Sequence, residues 1–179
     1  MPDIHPSQLI DGVQQVHLRA FGDDRGRFLE IFRKEWFPQR NWAQVQSNHS
    51  QSAAGVLRGL HYHHHQVDYW YVFQGQIRAM LVDLRPSSPT HLATESVLLS
   101  GADDVGLFIP TGVAHGFATL SEATLMYIVD AYYDGTDEYG VAWNDPELGL
   151  DWGVDDPVVS ERDRQNPTLQ EIAIADLPD

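Results

Sequence analysis

Between two glycines the chain reads Gly55-Val-Leu-Arg58-Gly-Leu-His61-Tyr-His63-His64-His65-Gln-Val-Asp68-Tyr-Trp-Tyr-Val-Phe-Gln-Gly75, the densest gathering of proton-moving and metal-ligating side chains in the sequence. Imidazole is the one side chain whose unperturbed pKa lies near neutrality. In a β-strand His61, His63 and His65 would alternate onto one face, which makes that face a candidate active site. Two chemistries fit. A neutral imidazole beside a carboxylate is a general base, and several imidazoles with Asp68 are ligands for a divalent transition ion. His64 and His65 are expected in solvent or behind the site.

The surrounding sequence must supply strands to hold these groups. Short alternating runs at residues 13–18, 27–33, 44–49, 56–61, 69–73, 76–84, 91–99, 106–109, 114–119 and 124–131 predict strands. Gly-, Pro- and Asp-rich breaks separate them at the spacing of an all-β sandwich or barrel. After Trp143-Asn-Asp-Pro146 the text turns Pro- and Asp-rich, and residues 167–177 are expected to form a short helix outside the barrel. With 179 residues, 42% of them hydrophobic, the chain can bury one substantial core, so residues 1–179 are expected to be a single domain.

Charge and composition narrow the partners. The formal net charge is −15, from 26 acids against 11 bases, which argues against binding nucleic acid or an anionic membrane. Every base but Lys34 is an arginine, and a few arginines suffice to hold a small anion. There is no cysteine, so thiolate metal sites are excluded. The first residues lack a secretory signal and no run is long enough to span a bilayer, so a cytoplasmic location is expected.

Gly55, His61-x-His63, Asp68 and Gly75 together resemble the first cupin motif, and Pro110-Thr-Gly112-Val-Ala-His115 resembles the second. In metal cupins the corresponding ligands would be His61, His63, Asp68 and His115. A resemblance over nearly the whole chain is more specific. Asp24-Arg25-Gly26-Arg-Phe28-Leu-Glu30, Gln46-Ser-Asn48, Gly55-Val-Leu-Arg58-Gly-Leu-His61-Tyr, Val82-Asp-Leu-Arg85-Pro, Ile109-Pro-x-Gly-x-Ala-His115-Gly-Phe117, Trp143-Asn-Asp-Pro146 and Ser160-Glu-Arg-Asp163 recur in this order in dTDP-4-dehydrorhamnose 3,5-epimerases.

That resemblance implies a cupin-like double-stranded β-helix (jelly-roll) barrel, a homodimer, and action without a cofactor on a dTDP-4-keto-6-deoxy sugar. By the same matching His61 is the base, Asp163 the carboxylate that orients it, and Tyr133 the acid that returns a proton from the opposite face. Arg25 and Arg58 would grip the diphosphate, Phe28 and Glu30 would line the nucleotide side, and Gln46, Asn48 and His115 the sugar pocket. Tyr139 matches a second site tyrosine, and Trp143 is expected near the ligand. Without the resemblance, Asp163 reads as a surface or capping residue of Ser160-Glu-Arg-Asp163.

One departure stands out. Typical members carry a longer segment after the histidine, ending in a Gly-Lys pair whose lysine steadies the enolate. Here the segment is a few residues shorter and Asp68-Tyr69-Trp70 stands near the lysine's place. A protonated His63, another histidine or Arg58 is the expected substitute within the epimerase reading. A metal cupin and a non-catalytic sugar-nucleotide binder are the alternatives.

Overall fold

The computed structural model describes residues 1–179. Its strands are β1 (Asp3–Pro6), β2 (Gln14–His17), β3 (Ala20–Asp23), β4 (Gly26–Leu29), β5 (Gln46–Ser52), β6 (Val56–Tyr62) and β7 (Asp68–Gln74). They continue as β8 (Gln76–Asp83), β9 (Thr94–Ser100), β10 (Val105–Ile109), β11 (Val113–Thr119), β12 (Ala123–Val129), β13 (Tyr139–Gly140) and β14 (Val158–Val159). One sheet has the order β1-β2-β10-β7-β12-β5, the other β13-β6-β11-β8-β9 with β14 pairing parallel to β6. From β5 onward the chain crosses between the sheets at nearly every turn, which is the jelly-roll barrel expected from the sequence.

The strand patterns follow from three apolar layers. Trp70, Val72, Ile77, Leu81, Leu107, Val113, Phe117 and Leu125 fill the space between the sheets. The outer face of the first sheet is covered by Phe37 and Trp42, which pack on Tyr69, Phe108 and Ile128. The outer face of the second is covered by Val141, Leu148 and Trp152 on Met80, Val82, Ala114 and Ala118. A strand with cover on both sides loses the alternation of a half-buried one. All of β11 and the first five residues of β7 are therefore buried.

The structure corrects several expected boundaries. Residues 30–33 leave β4, and Phe32 stacks on Phe37 and packs edge-on against Trp42 and at a tilt against Tyr69. Residues 91–93 form a turn, with Leu92 at φ 63, and β9 begins only at Thr94. Residues 167–177 make two single 3-10 turns, Leu169–Glu171 and Ile174–Asp176, because Leu169 and Ile172 are both drawn onto the outer layer of the second sheet. The four-residue helix α1 (Glu161–Arg164) lies just before them and ends the parallel excursion of β14 against β6.

β6 ends at Tyr62, so His61, His63 and His65 do not share a strand face as the alternation predicts. His63 turns into the barrel and is buried, whereas His65 is exposed and its backbone N–H is held by Asp137. β6 is also irregular. His61 pairs with His115 and Arg58 with Phe117, so Gly59 and Leu60 together oppose the single residue Gly116. Arg58 and His61, three apart, would face opposite sides of a regular strand; the bulge turns both inward. Only glycine fits at its centre, since a Cβ on Gly59 would lie 2.6 Å from Gly116 Cα at φ +121.

Candidate active site

Where the apolar filling between the sheets stops, a cleft of about 290 Å³ opens, lined on one side by Arg58, His61, Gly116 and Phe117 and on the other by Asp68, Trp70, Leu125 and Tyr127. Tyr133, Glu138 and Arg162 stand at its mouth, where Glu138 and Arg162 form an ion pair of 2.7 Å. Alternation places the floor. Asp68 precedes Trp70 and Val72 on the inward face of β7, and His115 lies between Val113 and Phe117 on that of β11.

His61 is one-quarter exposed and its Nε2 lies 2.7 Å from Asp163 Oδ1. A carboxylate accepts, so Nε2 carries the hydrogen and Nδ1 is left with a free lone pair. Asp163 is buried at the third position of α1, where its backbone N–H is capped by Ser160 Oγ. Its Oδ2 accepts the N–H of Gly59, so one carboxylate holds both the imidazole and the bulge that aims it. Burial alone would raise the Asp163 carboxyl. The hydrogen bond and charge of His61, with the Gly59 and Ser160 contacts, outweigh it and hold the group below the ordinary range.

Behind His61, His63, Asp68 and His115 form a second polar group, with ligand atoms all within 4.8 Å of one another. Burial pushes the His115 imidazole down to about 4, against the opposing charge of Asp68, so it is neutral at pH 7. His61 is not part of this group, and the four-ligand set expected from cupin spacing is therefore reduced to three.

Of the remaining expected residues, Arg58 and Tyr133 line the cleft. Gln46 and Asn48 stand at its edge on β5, where Gln46 Oε1 accepts the Tyr133 backbone N–H and its Nε2 donates to Asn48. Tyr139 stacks on Tyr62 and His64 instead of facing the cleft, and Trp143 packs on the outer layer of the second sheet. Arg25, Phe28 and Glu30 lie on or beside the β3–β4 hairpin, away from this cleft, with Arg25 paired to Asp23 at 2.5 Å and Phe28 64% exposed. Lys34 sits in a 3-10 turn and contributes nothing to the cleft.

A base held by a carboxylate, facing a cleft with a phenol at its mouth and arginines beside it, is equipped to remove and return a proton on an anionic substrate. The sequence model of the family described as dTDP-4-dehydrorhamnose 3,5-epimerase matches residues 7–171. The chain belongs to that family. The epimerase of that name from Pseudomonas aeruginosa is 42% identical over 154 residues, which cover 82% of this chain and 85% of the relative. A Legionella pneumophila dTDP-6-deoxy-D-glucose-3,5-epimerase, solved in complex with dTDP-4-keto-L-rhamnose, superposes with a TM-score of 0.92 at 34% identity, covering 99% of this chain and 98% of that one. A Streptomyces bikiniensis 3'-monoepimerase in complex with dTDP-quinovose gives 0.89 at 32% identity, covering 97% and 92%.

Trp70, Tyr127, Glu138 and Arg162 are cleft residues that the family motifs did not pick out. Trp70 and Tyr127 were reachable from alternation, since they are cross-strand partners two residues from Asp68 and Leu125 respectively. Glu138 and Arg162 come from a loop and from α1, and no periodicity announces them.

Proposed function

We propose that this protein is an epimerase acting on a dTDP-4-keto-6-deoxyhexose, inverting C3, C5 or both by deprotonation and reprotonation beside the C4 ketone. The observation that carries the reading is the 2.7 Å contact of His61 Nε2 with the buried Asp163, which leaves Nδ1 as the acceptor of a ring that lines the cleft. A hydrogen next to a ketone is acidic because the carbanion delocalises as an enolate. His61 Nδ1 takes this proton, and Asp163 stabilises the imidazolium that results. Tyr133 delivers a proton to the other face of the same carbon, which inverts it, and both groups then exchange with solvent. The proton leaves and returns with no change of oxidation state, so no electron carrier is required.

Arg58 binds the diphosphate by forked donation, and Gln46, Asn48 and His115 shape the sugar side. The relatives supply the substrate class: one is bound to dTDP-4-keto-L-rhamnose and another to dTDP-quinovose. The resemblance to both a 3,5-epimerase and a monoepimerase is why the number of carbons inverted is put as one or two.

The working form is a homodimer. Phe21 and Phe28 pair across the β3–β4 hairpin and are 52% and 64% exposed, an apolar ribbon that a second barrel would cover. There Arg25, Phe28 and Glu30 serve the partner's nucleotide. No helix is long and apolar enough to cross a membrane, and a nucleotide-diphosphate substrate goes with work in the cytoplasm.

The test is incubation with dTDP-4-keto-6-deoxyglucose and NMR of the recovered sugar. Inverted configuration at C3 or C5 supports the reading; a sugar of unchanged configuration after prolonged incubation overturns it.

A further inference from the structure

His63, Asp68 and His115 present a problem of charge that their hydrogen bonds do not solve. They are 6%, 3% and 6% exposed and come from three places: the turn after β6, the first residue of β7 and the middle of β11. His63 Nδ1 lies 2.7 Å from the carbonyl of Asp137, and His115 Nδ1 lies 2.9 Å from the carbonyl of Val113. A carbonyl only accepts, so both Nδ1 atoms carry the hydrogen, and in the neutral rings both Nε2 atoms present lone pairs. These two lone pairs aim at one oxygen, Asp68 Oδ2, from 3.9 and 3.8 Å. That is beyond hydrogen-bond range. Three acceptors thus face one another in a buried space with nothing positive between them.

The outer contacts are those of a ligand set. Each imidazole is fixed by a backbone carbonyl on its far nitrogen, which sets the tautomer that leaves Nε2 free. Trp70 Nε1–H donates to Asp68 Oδ1 at 3.2 Å and Gln66 Nε2 to Oδ2 at 3.1 Å, holding the carboxylate in place. Ligands about 2.1 Å from a common ion stand roughly 3–3.5 Å apart at tetrahedral or octahedral angles, so this set closes on an ion by moving about half an ångström.

We propose that His63, Asp68 and His115 bind one divalent transition-metal ion, by two imidazole nitrogens and one carboxylate, beside His61 and without using it. The mix of imidazole and carboxylate suits zinc, iron, cobalt, nickel or manganese, and three ligands leave coordination positions free for water or an oxygen of a bound molecule. A metal on a general base would block the lone pair that takes the proton. The geometry removes that conflict, because His61 is committed to Asp163 and outside the set. What the ion does rests on the epimerase reading: all three ligands line the same cleft as His61, where positive charge offsets the developing enolate. The only lysine, Lys34, is elsewhere, and Arg162 is engaged with Glu138.

The experiment strips the purified full-length protein with chelator and titrates it with Co²⁺ and Zn²⁺ alone, followed by the cobalt visible spectrum and by calorimetry. About one ion per chain is expected, with a spectrum of nitrogen and oxygen ligation. His63→Gln and Asp68→Asn should each weaken binding by roughly a hundredfold or more, whereas His61→Asn should bind as tightly as the unaltered protein. Thermal melts guard against misfolding: added ion should raise the melting temperature of the unaltered protein and of His61→Asn, and not that of Asp68→Asn. No stoichiometric binding, binding unchanged in both ligand variants, or binding lost in His61→Asn overturns the site. Substrate deuterium exchange with and without the ion then separates the two readings. At least tenfold slower exchange in the stripped protein supports the catalytic part, and unchanged exchange overturns that part. Ion binding with no exchange in either form counts against the epimerase assignment and leaves the metal site standing.

Discussion

Asp163→Asn is the sharpest probe of how His61 is activated, because the substitution keeps shape and removes one charge. The carboxylate now accepts twice, from His61 Nε2 at 2.7 Å and from the Gly59 N–H at 3.2 Å. An amide has a single oxygen. If it faces His61, the NH₂ group is set against the Gly59 N–H, donor against donor. If it faces Gly59, the NH₂ group donates to Nε2, the hydrogen moves to Nδ1, and the base loses its lone pair. Hydrogen bonds to charged groups contribute roughly 1.5–3 kcal/mol. At about 1.4 kcal/mol per factor of ten, losing the contact to the imidazolium lowers kcat by roughly 10- to 150-fold. Asp163 does not line the cleft, so KM should stay within about twofold. The assay is the initial rate of solvent deuterium entry into dTDP-4-keto-6-deoxyglucose, read by NMR, with circular dichroism to confirm the fold. A folded Asp163→Asn protein with kcat within about threefold of the unaltered enzyme would refute the reasoning.

Tyr133→Phe should still take up deuterium on the face that His61 serves, while formation of inverted sugar falls roughly a hundredfold or more; equal loss of both would remove Tyr133 from its role. Gly59→Ala places a Cβ 2.6 Å from Gly116 Cα and 2.9 Å from the His115 carbonyl, so strain and overpacking should cost roughly 2–5 kcal/mol and lower the melting temperature by about 5–15 °C. Asp83 is fully buried; burial alone would raise its carboxyl, but hydrogen bonds from Arg85, Ser88 and Thr90 prevail and bring it down to about 2. A depressed carboxyl stabilises the fold above the unfolded value and loses that effect as pH falls through the folded one. Denaturant melts should therefore weaken by on the order of 2 kcal/mol between about pH 4 and pH 2, with a flatter profile in Asp83→Asn. Light scattering at micromolar concentration should return a dimer, and Phe28→Asp should shift it toward monomer.

Much of the barrel was legible, because strands with one covered face keep their period of two and turn residues mark their ends. β8, β10 and β11 fall within a residue of their expected limits. The errors have local causes. Alternation put His61, His63 and His65 on one strand, but β6 stops at Tyr62 and only the first two reach the cleft. A period of two cannot register the bulge at Gly59 and Leu60, so it gave Arg58 and His61 opposite faces while the structure gives them one. Local sequence reads Asp163 as a surface or capping residue, but the structure buries it and gives the cap to Ser160; its contact with a histidine 102 residues away was visible only by family register. Residues 167–177 carry a Thr168–Glu171 capping box and still make only two separate single turns, because anchoring Leu169 and Ile172 on the second sheet overrides local helix preference.

The central claim is that His61 Nδ1 removes the proton next to the ketone. It is tested most directly by following deuterium from D₂O into C3 and C5 of dTDP-4-keto-6-deoxyglucose, with the unaltered protein and His61→Ala side by side. Exchange at one or both carbons with the unaltered protein, and only the buffer rate with a folded His61→Ala, is the predicted result. Exchange by His61→Ala at the unaltered rate would contradict it.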